Sequence, residues 1–380
     1  MKTVAVWKRA WLPPSETFVR NQMDYLSHWR GIAFGVRRVE SPLSREADKI
    51  LFGAGLRESV ALALFRLRGH SPRVTRFLEV NSVDVVHAHF GSDAVAIWRQ
   101  CRKAGIPLVV TLHGHDITAG PATDGFAGWR YRRRLNAMFR YASRVIAVSQ
   151  FIRGRALEHG AAPAKTVVKY IGIPLDEDAA QTHHDAGPPL WDLVFVGRLT
   201  HKKGVHDLLA AMTELKMSGL EPSLAIVGSG PLEDELRTIA RDEELRVDFL
   251  GHLSPADVRM TLEHSQIFVA LSRTADNGDA EGFGLVFLEA AAAGLPVISY
   301  LHGGVMEAVA DGRTGLLSPE GDVSSVVAAI RALLTDPDRA RAMGEAGAAR
   351  ASKDFNIRDR TQELEDVYDD VVANWRINQH

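Results

Sequence analysis

Short runs of β-branched and other apolar residues alternate with longer amphipathic segments along almost the whole chain. In the first half, the apolar runs predict strands at Thr3–Trp7, Val83–His87, Leu108–Leu112, Arg144–Val148 and Thr166–Tyr170. The amphipathic segments predict helices at Glu16–His28, Ser92–Ala104, Gly128–Tyr141 and Gln150–His159. Apolar strands that alternate with helices are typical of a parallel sheet covered by helices.

The same alternation starts again at residue 193 and predicts a second sheet. Its strands are predicted at Leu193–Val196, Leu224–Val227, Val247–Leu250, Ile267–Ala270, Val297–Tyr300 and Gly315–Leu317. Its helices are predicted at Gly204–Lys216, Leu232–Asp242, Ala256–His264, Leu285–Ala293 and Ser324–Leu334. A charged amphipathic segment, Ile357–Trp375, predicts one long closing helix.

The two series predict two domains. A chain of 380 residues exceeds the usual size of one domain, and the polar, turn-rich segment Asp176–Pro189 between the series reads as a linker. We therefore expect an α/β protein with two Rossmann-like, doubly wound parallel-sheet domains, over residues 1–180 and 188–357. Open sheets of this kind bind ligands at the C-terminal ends of their strands, so the ligand crevice is expected between the two sheets.

Composition narrows the class of protein. The one cysteine, Cys101, excludes an internal disulfide framework and fits a reducing cytosol. The start of the chain has five uncharged residues between Lys2 and Lys8, too few for a signal peptide. No segment predicts a membrane span. These features indicate a cytoplasmic protein.

The net charge of −2 hides an asymmetry. Residues 1–185 hold 27 Lys and Arg against 16 Asp and Glu, a net of +11, and the remainder holds 18 against 31, a net of −13. The basic half favours an anionic partner: a membrane surface, a lipid phosphate or nucleic acid. The densest cluster is Arg130, Arg132, Arg133, Arg134 and Arg140. These side chains cannot all share one helix face, so part of the cluster is simply solvated.

The most informative segment is Glu281–Ser299, EGFGLVFLEAAAAGLPVIS. Gly282 and Gly284 allow close approach of the backbone to a ligand, and the amides that open the following helix suit a phosphate. Glu289 lies about one turn into that helix and leans back toward its start, within reach of the sugar of a nucleotide. Glu281 would face whatever the diphosphate carries. A glycine-rich loop before an ordinary helix, with Glu289 solvated, is the alternative.

Strand ends in the second half supply further candidates. Arg198 and Lys203 follow the first strand and precede a helix, where two cations could neutralise a diphosphate. Two surface cations flanking a turn remain the alternative. After the second strand, Gly228 and Gly230 form a tight turn that lacks the third glycine of a dinucleotide fingerprint. After the third strand, Leu253 could offer backbone groups to a base edge.

In the first half, His113 and Asp116 follow an apolar strand. His87 and His89 could join His113 in a metal site, but no dedicated ligand spacing supports one. We therefore expect no metal. His113 is instead expected to donate a hydrogen bond to an anionic or hydroxylated substrate.

Arg198 and Lys203, followed by Glu281 and Glu289, resemble the paired signature of the retaining family-4 glycosyltransferases, which share the GT-B fold. The resemblance covers nearly the whole chain. It implies that Arg198 and Lys203 hold the donor diphosphate and that Glu289 binds the ribose hydroxyls. It further implies that Glu281 and the turn amides of Gly282, Phe283, Gly284 and Leu285 lie against the transferred sugar.

The same resemblance implies that His113 contacts that sugar from the N-terminal domain, and that residues 358–380 cross back to pack on this domain. One departure concerns the first strand, since many relatives continue it with a Gly-Gly turn. This chain instead has Pro13-Pro14-Ser15-Glu16-Thr17-Phe18, which is similar to transferases of bacterial exopolysaccharide assembly, the colanic-acid type. Ser15 is expected to cap the helix and Glu16 to lie in its first turn. Ser15, Glu16 and Asp116 are candidate acceptor contacts.

The implied function is a cytosolic, metal-independent, retaining glycosyltransferase with no cofactor besides its nucleoside diphosphate sugar. The C-terminal domain would bind the donor and the N-terminal domain the acceptor. The basic first half favours a polyprenyl-linked saccharide as acceptor and peripheral contact with an anionic membrane rather than nucleic acid. Other readings are transfer to a small molecule, a GT-B epimerase, hydrolase or phosphorylase, and a non-enzymatic sugar-nucleotide or anion-binding protein.

Overall fold

The computed structural model describes residues 1–53, 55–175 and 189–377. The chain divides into two units: unit 1 contains Met1–Pro174 and the C-terminal segment from Ile357, and unit 2 contains Leu175–Asn356. The predicted linker Asp176–Pro189 lies almost wholly outside the described residues.

A parallel sheet of seven strands forms the centre of unit 1. Its strands are β1 (Lys2–Trp11), β2 (Trp29–Arg38), β3 (Lys49–Ile50), β4 (Val85–His89), β5 (Leu108–Leu112), β6 (Arg144–Ala147) and β7 (Thr166–Val168). The order across the sheet is β3-β2-β1-β4-β5-β6-β7. Because the chain leaves β1 toward one edge and β4 toward the other, a crevice opens where these two neighbours end.

The helices of unit 1 fill the connections between its strands. They are α1 (Thr17–Asp24), α2 (Leu56–Arg68), α3 (Pro72–Val80), α4 (Gly91–Ala104), α5 (Ala119–Ala122), α6 (Gly125–Tyr141) and α7 (Gln150–Glu158). The apolar pattern had not indicated β2, β3, α2 or α3.

Unit 2 repeats the architecture with six parallel strands. These are β8 (Trp191–Val196), β9 (Leu224–Val227), β10 (Val247–Gly251), β11 (Ser265–Ala270), β12 (Val297–Tyr300) and β13 (Gly315–Ser318). The helices are α8 (Val205–Met217), α9 (Glu233–Asp242), α10 (Pro255–Glu263), α11 (Leu285–Ala292), α12 (Val305–Ala308), α13 (Val323–Leu334) and α14 (Pro337–Asp354). The order β10-β9-β8-β11-β12-β13 puts the direction change between β8 and β11.

The last helix, α15 (Ile357–Ile377), belongs to unit 1, as the closing helix was expected to. Its apolar face joins a core cluster with residues from β1 and β4, such as Val4 and Val85. Its buried Glu365 accepts hydrogen bonds on Oε1 from the backbone amides of residues 27, 28 and 29, at 2.9, 2.8 and 2.9 Å. In the described part of the chain, no helix has the length and apolar content that crossing a bilayer requires.

Glu365→Ala is expected to lower the free energy of unfolding of unit 1 by about 3 kcal/mol, because three backbone amides, including the buried amide of Trp29, would lose their acceptor. The neighbouring Asp366 is exposed, so Asp366→Ala is the matched control and should change stability little. Chemical denaturation followed by circular dichroism measures both. Equal stability of the two variants would contradict the role assigned to Glu365.

Candidate functional site

An ion pair lies at the C-terminal end of the unit 2 sheet, where the neighbouring strands β8 and β11 end side by side. Lys203 belongs to a short 3-10 turn, His201–Lys203, that follows β8. Its Nζ donates a hydrogen bond of 2.6 Å to Oε2 of Glu281, from the loop between β11 and α11. The two residues are 78 positions apart in sequence, so the fold alone makes this pair.

Burial and charge act in opposite directions on Glu281. Desolvation would raise the pKa of its carboxyl, but the positive charges of Lys203 and Lys202 and the hydrogen bond from Lys203 lower the pKa to about 2. Glu281 is therefore an anion throughout the physiological pH range. It can orient hydroxyl groups, but it has no proton to give as a general acid.

The loop that carries Glu281 is held from both sides. On one side, Nζ of Lys202 donates to Asp279 at 3.0 Å and to the carbonyl of Ala280 at 3.1 Å. The two consecutive lysines therefore have different partners. Lys202 holds the loop through Asp279 and the carbonyl of Ala280, and Lys203 contacts the carboxylate of Glu281.

On the other side, the amide of Glu281 donates to Nε2 of His302 at 3.1 Å. Since Nε2 accepts, Nδ1 carries the proton and donates to Glu320 at 2.9 Å. Gly303 and Gly304 let this strand end approach the loop, because a Cβ at Gly304 would lie 2.1 Å from the carbonyl oxygen of residue 282. His302 and Glu320 were missed by the sequence analysis. His302 lies shortly after the apolar run of β12. The expectation that ligand-binding residues follow the C-terminal ends of strands could therefore have selected it.

Two charged groups remain free at this edge. Arg198, two residues after β8, and Glu289, in α11, are exposed. Neither side chain has a hydrogen bond or ion pair with any residue the structure describes. Desolvation raises the pKa of the Glu289 carboxyl, but its contact with solvent should keep it ionised at neutral pH. Gly284, the residue before α11, has a φ of +85° and offers no side-chain cap, which leaves the first-turn amides open to an anion.

Two glycines that were predicted to contact the nucleotide-sugar donor are needed for close backbone packing. A Cβ at Gly228 would lie 2.0 Å from the carbonyl oxygen of Gly197, and one at Gly230 would lie 2.4 Å from that of Leu199. These glycines therefore let the β9 turn pack on the loop that carries Arg198. Donor contact by Gly228 and Gly230 stays a prediction, as it does for Leu253, which follows β10.

Phe283 is buried, with its ring 5.6 Å from that of Phe355. Its side chain therefore anchors the turn, and only its backbone is left to face a ligand. Gly282 is buried beside it, whereas Leu285, the first residue of α11, is partly exposed.

In unit 1, His113 lies at the end of β5 in an aromatic setting. Its ring is 4.5 Å from those of Phe18 and Phe90, and its Nε2 is 3.1 Å from Nδ1 of His89. Desolvation, with the charges of Lys8 and His87, lowers its pKa well below the usual value. His113 is therefore neutral at physiological pH, a state in which one ring nitrogen donates and the other accepts.

Asp116 fixes the turn that presents His113. Its carboxylate accepts hydrogen bonds from the amides of Gly91 at 2.6 Å, Gly114 at 2.9 Å and His113 at 3.2 Å. The side chain is buried, so positioning of this turn is its visible role, and contact with an acceptor stays a prediction.

A second charged cluster lies where β1 ends. Nζ of Lys8 lies 2.7 Å from Glu16 and 3.5 Å from Asp93. Burial raises the pKa of Glu16, although Lys8 opposes the shift. Lys8 and Asp93 were missed, since a lysine within an apolar strand gives no signal without its partners. The expected cap was wrong: α1 begins at Thr17 after Glu16, without a side-chain cap, and Ser15 is exposed one residue earlier.

This cluster borders a cavity of about 920 Å³ within unit 1. Its apolar lining includes Val36, Ile50, Phe52, Leu62, Phe65 and Phe90, and its basic lining is Lys8, Arg9, Arg37, Arg38 and Arg66. The side chains of Arg37 and Arg66 have no partner among residues 1–53, 55–175 and 189–377. The cavity can therefore take a molecule with both an apolar part and an anionic group.

His87, His89 and His113 lie close together, as a metal site formed by them would require. Their rings, however, stack on one another and make hydrogen bonds. Nδ1 of His87 is 2.7 Å from the hydroxyl of Tyr368, and its Nε2 is 2.7 Å from that of Thr111. Within the described ranges, no group of three or more His, Cys, Asp or Glu side chains could hold a metal ion.

Comparison with known families covers most of the chain. Residues 18–177 match the model described as Glycosyltransferase Family 4, and residues 177–350 match the model described as Glycosyl transferases group 1. Together the two matches span all the predicted site residues except Ser15 and Glu16.

Individual relatives agree with these matches. The chain is 29% identical to the putative colanic acid biosynthesis glycosyltransferase WcaL of Salmonella typhimurium, over 72% of this chain and 67% of that protein. It is also 29% identical to the GDP-mannose-dependent alpha-(1-6)-phosphatidylinositol monomannoside mannosyltransferase of Mycolicibacterium smegmatis, over 78% of each chain. Among solved structures, HepE from Anabaena in complex with UDP matches with a TM-score of 0.76 at 21% identity, over 97% of this chain and all of that one. The chain therefore belongs to the family-4, group-1 glycosyltransferases and has the GT-B fold.

Proposed function

We propose that this protein is a retaining glycosyltransferase that moves a sugar from a nucleoside diphosphate sugar to a hydroxyl group of a polyprenyl-linked saccharide in surface polysaccharide assembly. The observation that carries the proposal is the Lys203–Glu281 ion pair, with Arg198 and Glu289 unpartnered at the same edge of unit 2. Two cations and an uncapped helix start suit a diphosphate, and a free carboxylate suits the two hydroxyls of a ribose.

In the proposed reaction, the bond between the anomeric carbon and the diphosphate breaks as the acceptor oxygen bonds to the same face of that carbon. The acceptor proton passes to an oxygen of the departing phosphate, so atoms and charge balance without a protein nucleophile. Negative charge grows on the leaving diphosphate, where Arg198, Lys203 and the first turn of α11 would stabilise it. Front-side attack of this kind keeps the anomeric configuration.

Glu281 fits an orienting role in this scheme. Its low pKa excludes proton donation, and its hydrogen bond to Lys203 occupies one oxygen of the carboxylate. The other oxygen is left to accept from hydroxyls of the transferred sugar. When the diphosphate binds, Lys203 would lie between two anions and couple the position of the sugar to that of the leaving group.

The acceptor class follows from unit 1. Its cavity combines an apolar lining with Arg37 and Arg66, which have no partner in the described structure. This combination suits a lipid phosphate that carries a saccharide. Two relatives support such a class by their names, one in colanic acid biosynthesis and one acting on a phosphatidylinositol monomannoside.

A donor screen followed by a transfer assay tests the proposal. Thermal shift with UDP-, GDP- and ADP-sugars should single out one base, since a ligand at about 100 times its dissociation constant stabilises by about 2.7 kcal/mol. Product analysis with and without a polyprenyl-linked saccharide then separates transfer from hydrolysis, epimerisation and phosphorolysis, and NMR gives the configuration. Turnover without acceptor, or inversion, would overturn the proposal.

We also propose that the reaction needs no metal, because Arg198 and Lys203 supply the charge that a divalent ion would supply. Full activity is therefore expected in excess EDTA, measured as initial rate against an untreated sample. Complete loss of activity that magnesium or manganese restores would show that the stabiliser of the leaving group had been misplaced.

A further inference from the structure

Helix α2 carries an apolar stripe on its solvent side. Leu56, Val60, Leu64 and Leu67 are 83%, 53%, 41% and 77% exposed. At 3.6 residues per turn, these four side chains fall within an arc of about 80°. Phe65, the residue by which α2 is buried in unit 1, points the opposite way. The helix is therefore apolar on both sides, and its outer stripe has no cover in unit 1.

Arginines border this stripe on both sides. Arg57 and Arg68 follow one edge, Arg66 follows the other, and all three are exposed. The one acidic residue of α2, Glu58, is paired with Arg73 of α3. An exposed apolar stripe between arginines is typical of a helix that lies in the interface of an anionic bilayer.

The start of α6 repeats this chemistry with aromatic residues. Phe126 and Trp129 are 72% and 48% exposed and stack with their rings 5.5 Å apart. Arg133 lies over the ring of Trp129. The helix has five arginines and no acidic residue. Aromatic rings beside arginines are enriched at the level of lipid headgroups.

The two patches belong to one face of unit 1. The connections from β3 to β4, from β4 to β5 and from β5 to β6 all advance in the same direction across the sheet. Right-handed crossovers therefore place α2, α3, α4 and α6 on the same side, and α4 packs against both α3 and α6. The α2 stripe and the start of α6 therefore lie on the same side of the unit 1 sheet.

We propose that this face docks on an anionic lipid bilayer, with the α2 stripe, Phe126 and Trp129 inserted among the headgroups. Leu62, Phe65 and Arg66 of α2 also line the 920 Å³ cavity, so the helix that docks also forms one wall of this cavity, and docking would bring a lipid-linked acceptor close to it. That last step rests on the proposed lipid-linked acceptor, whereas docking itself does not.

Charge favours a bilayer over a second copy of the chain. A two-fold contact would set this patch against itself, so the arginines of α2 and α6 would face their own copies. Anionic lipids instead neutralise these arginines while their acyl region takes up the apolar side chains.

Vesicle binding tests the proposal with the full chain. Sedimentation with phosphatidylcholine vesicles, with and without phosphatidylglycerol, gives the partition coefficient. Leu56→Glu/Leu67→Glu should lower partition into anionic vesicles by about tenfold or more. Arg130→Gln/Arg134→Gln should weaken binding to anionic vesicles only. Brominated lipids should quench part of the tryptophan fluorescence of the wild type, and Trp129→Phe should remove that part.

Met217→Glu is the matched control, because Met217 is an 84% exposed apolar residue in unit 2. If Leu56→Glu/Leu67→Glu left the partition coefficient unchanged, the proposal would be wrong. It would also be wrong if the wild type formed a dimer and these substitutions abolished the dimer without weakening lipid binding. Transfer to a short-chain, water-soluble acceptor without vesicles reports separately on the catalytic function. Stripe-dependent docking without any transfer would overturn the proposed acceptor and leave the docking surface in place.

Discussion

Arg198→Ala and Lys203→Ala are each expected to lower turnover by about a hundredfold or more, because both cations act on charge that grows in the transition state. Arg198 has no partner in the described chain and is free to meet a diphosphate. Lys203 is already bound to Glu281, so its removal changes two things at once. Initial rates at saturating donor measure the effect.

The two variants should differ in their dependence on pH. In the wild type, the pKa of Glu281 is about 2, so protonation of Glu281 should cause no loss of activity in the pH range of the assay. Lys203→Ala removes the main opposing charge, so burial raises this pKa and activity should fall as the pH decreases toward it. Arg198→Ala should keep the wild-type profile at a lower level.

Arg241→Ala is the control for both, because Arg241 is exposed in the last turn of α9. It should leave turnover unchanged. If Arg198→Ala and Lys203→Ala also kept near-normal turnover, the diphosphate assignment would be wrong.

The strands and helices of unit 2 were predictable because most of them follow one rule. Most of its strands are apolar and largely buried, β10 being only partly buried, and polar residues appear where the strands end. The exceptions are the four-residue helix α12 and the long helix α14, which has alanines and glycines where an apolar stripe would be expected. A Cβ at Gly344 would lie 1.9 Å from the carbonyl oxygen of Gly294. This helix is recognised by its close packing and not by hydrophobicity.

In unit 1, β2 and α2 were missed for opposite reasons. Strand β2 contains Gly31 and Gly35 and ends in two arginines, which reads as a loop. Gly35 is needed because a Cβ there would lie 2.5 Å from the carbonyl oxygen of Lys8. Helix α2 carries its apolar stripe outward, so periodicity alone could not show which side is buried.

The candidate site was predictable as single residues and not as pairs. Strand ends and the Glu281–Ser299 motif selected Arg198, Lys203, Glu281 and Glu289 one at a time. That Lys203 contacts Glu281, and that His302 holds the amide of Glu281, depends on the order of β8, β11 and β12 in the sheet. The spacing of residues in the sequence does not reveal the order of the strands in the sheet.

The Lys203–Glu281 pair sharpens what the two glutamates should do when each is replaced. Glu289 is expected to bind the ribose, which does not change during the reaction. Glu289→Ala would leave those hydroxyls unpaired, so affinity for the nucleoside diphosphate should fall by about 1–3 kcal/mol. Glu289→Gln keeps an acceptor oxygen and should lose less.

Glu281→Ala is expected to act in the opposite way on the same ligand. Without the Glu281 carboxylate, Lys203 loses an anionic partner and can pair fully with the diphosphate, so nucleotide affinity should stay equal or increase. Turnover with the intact donor should still fall, because the transferred sugar loses the group that orients it. Calorimetry with the nucleoside diphosphate alone makes the contrast visible, since that ligand has no sugar to transfer. If Glu281→Ala weakened nucleotide binding as much as Glu289→Ala, Glu281 would be a nucleotide ligand and its assignment to the sugar would be wrong.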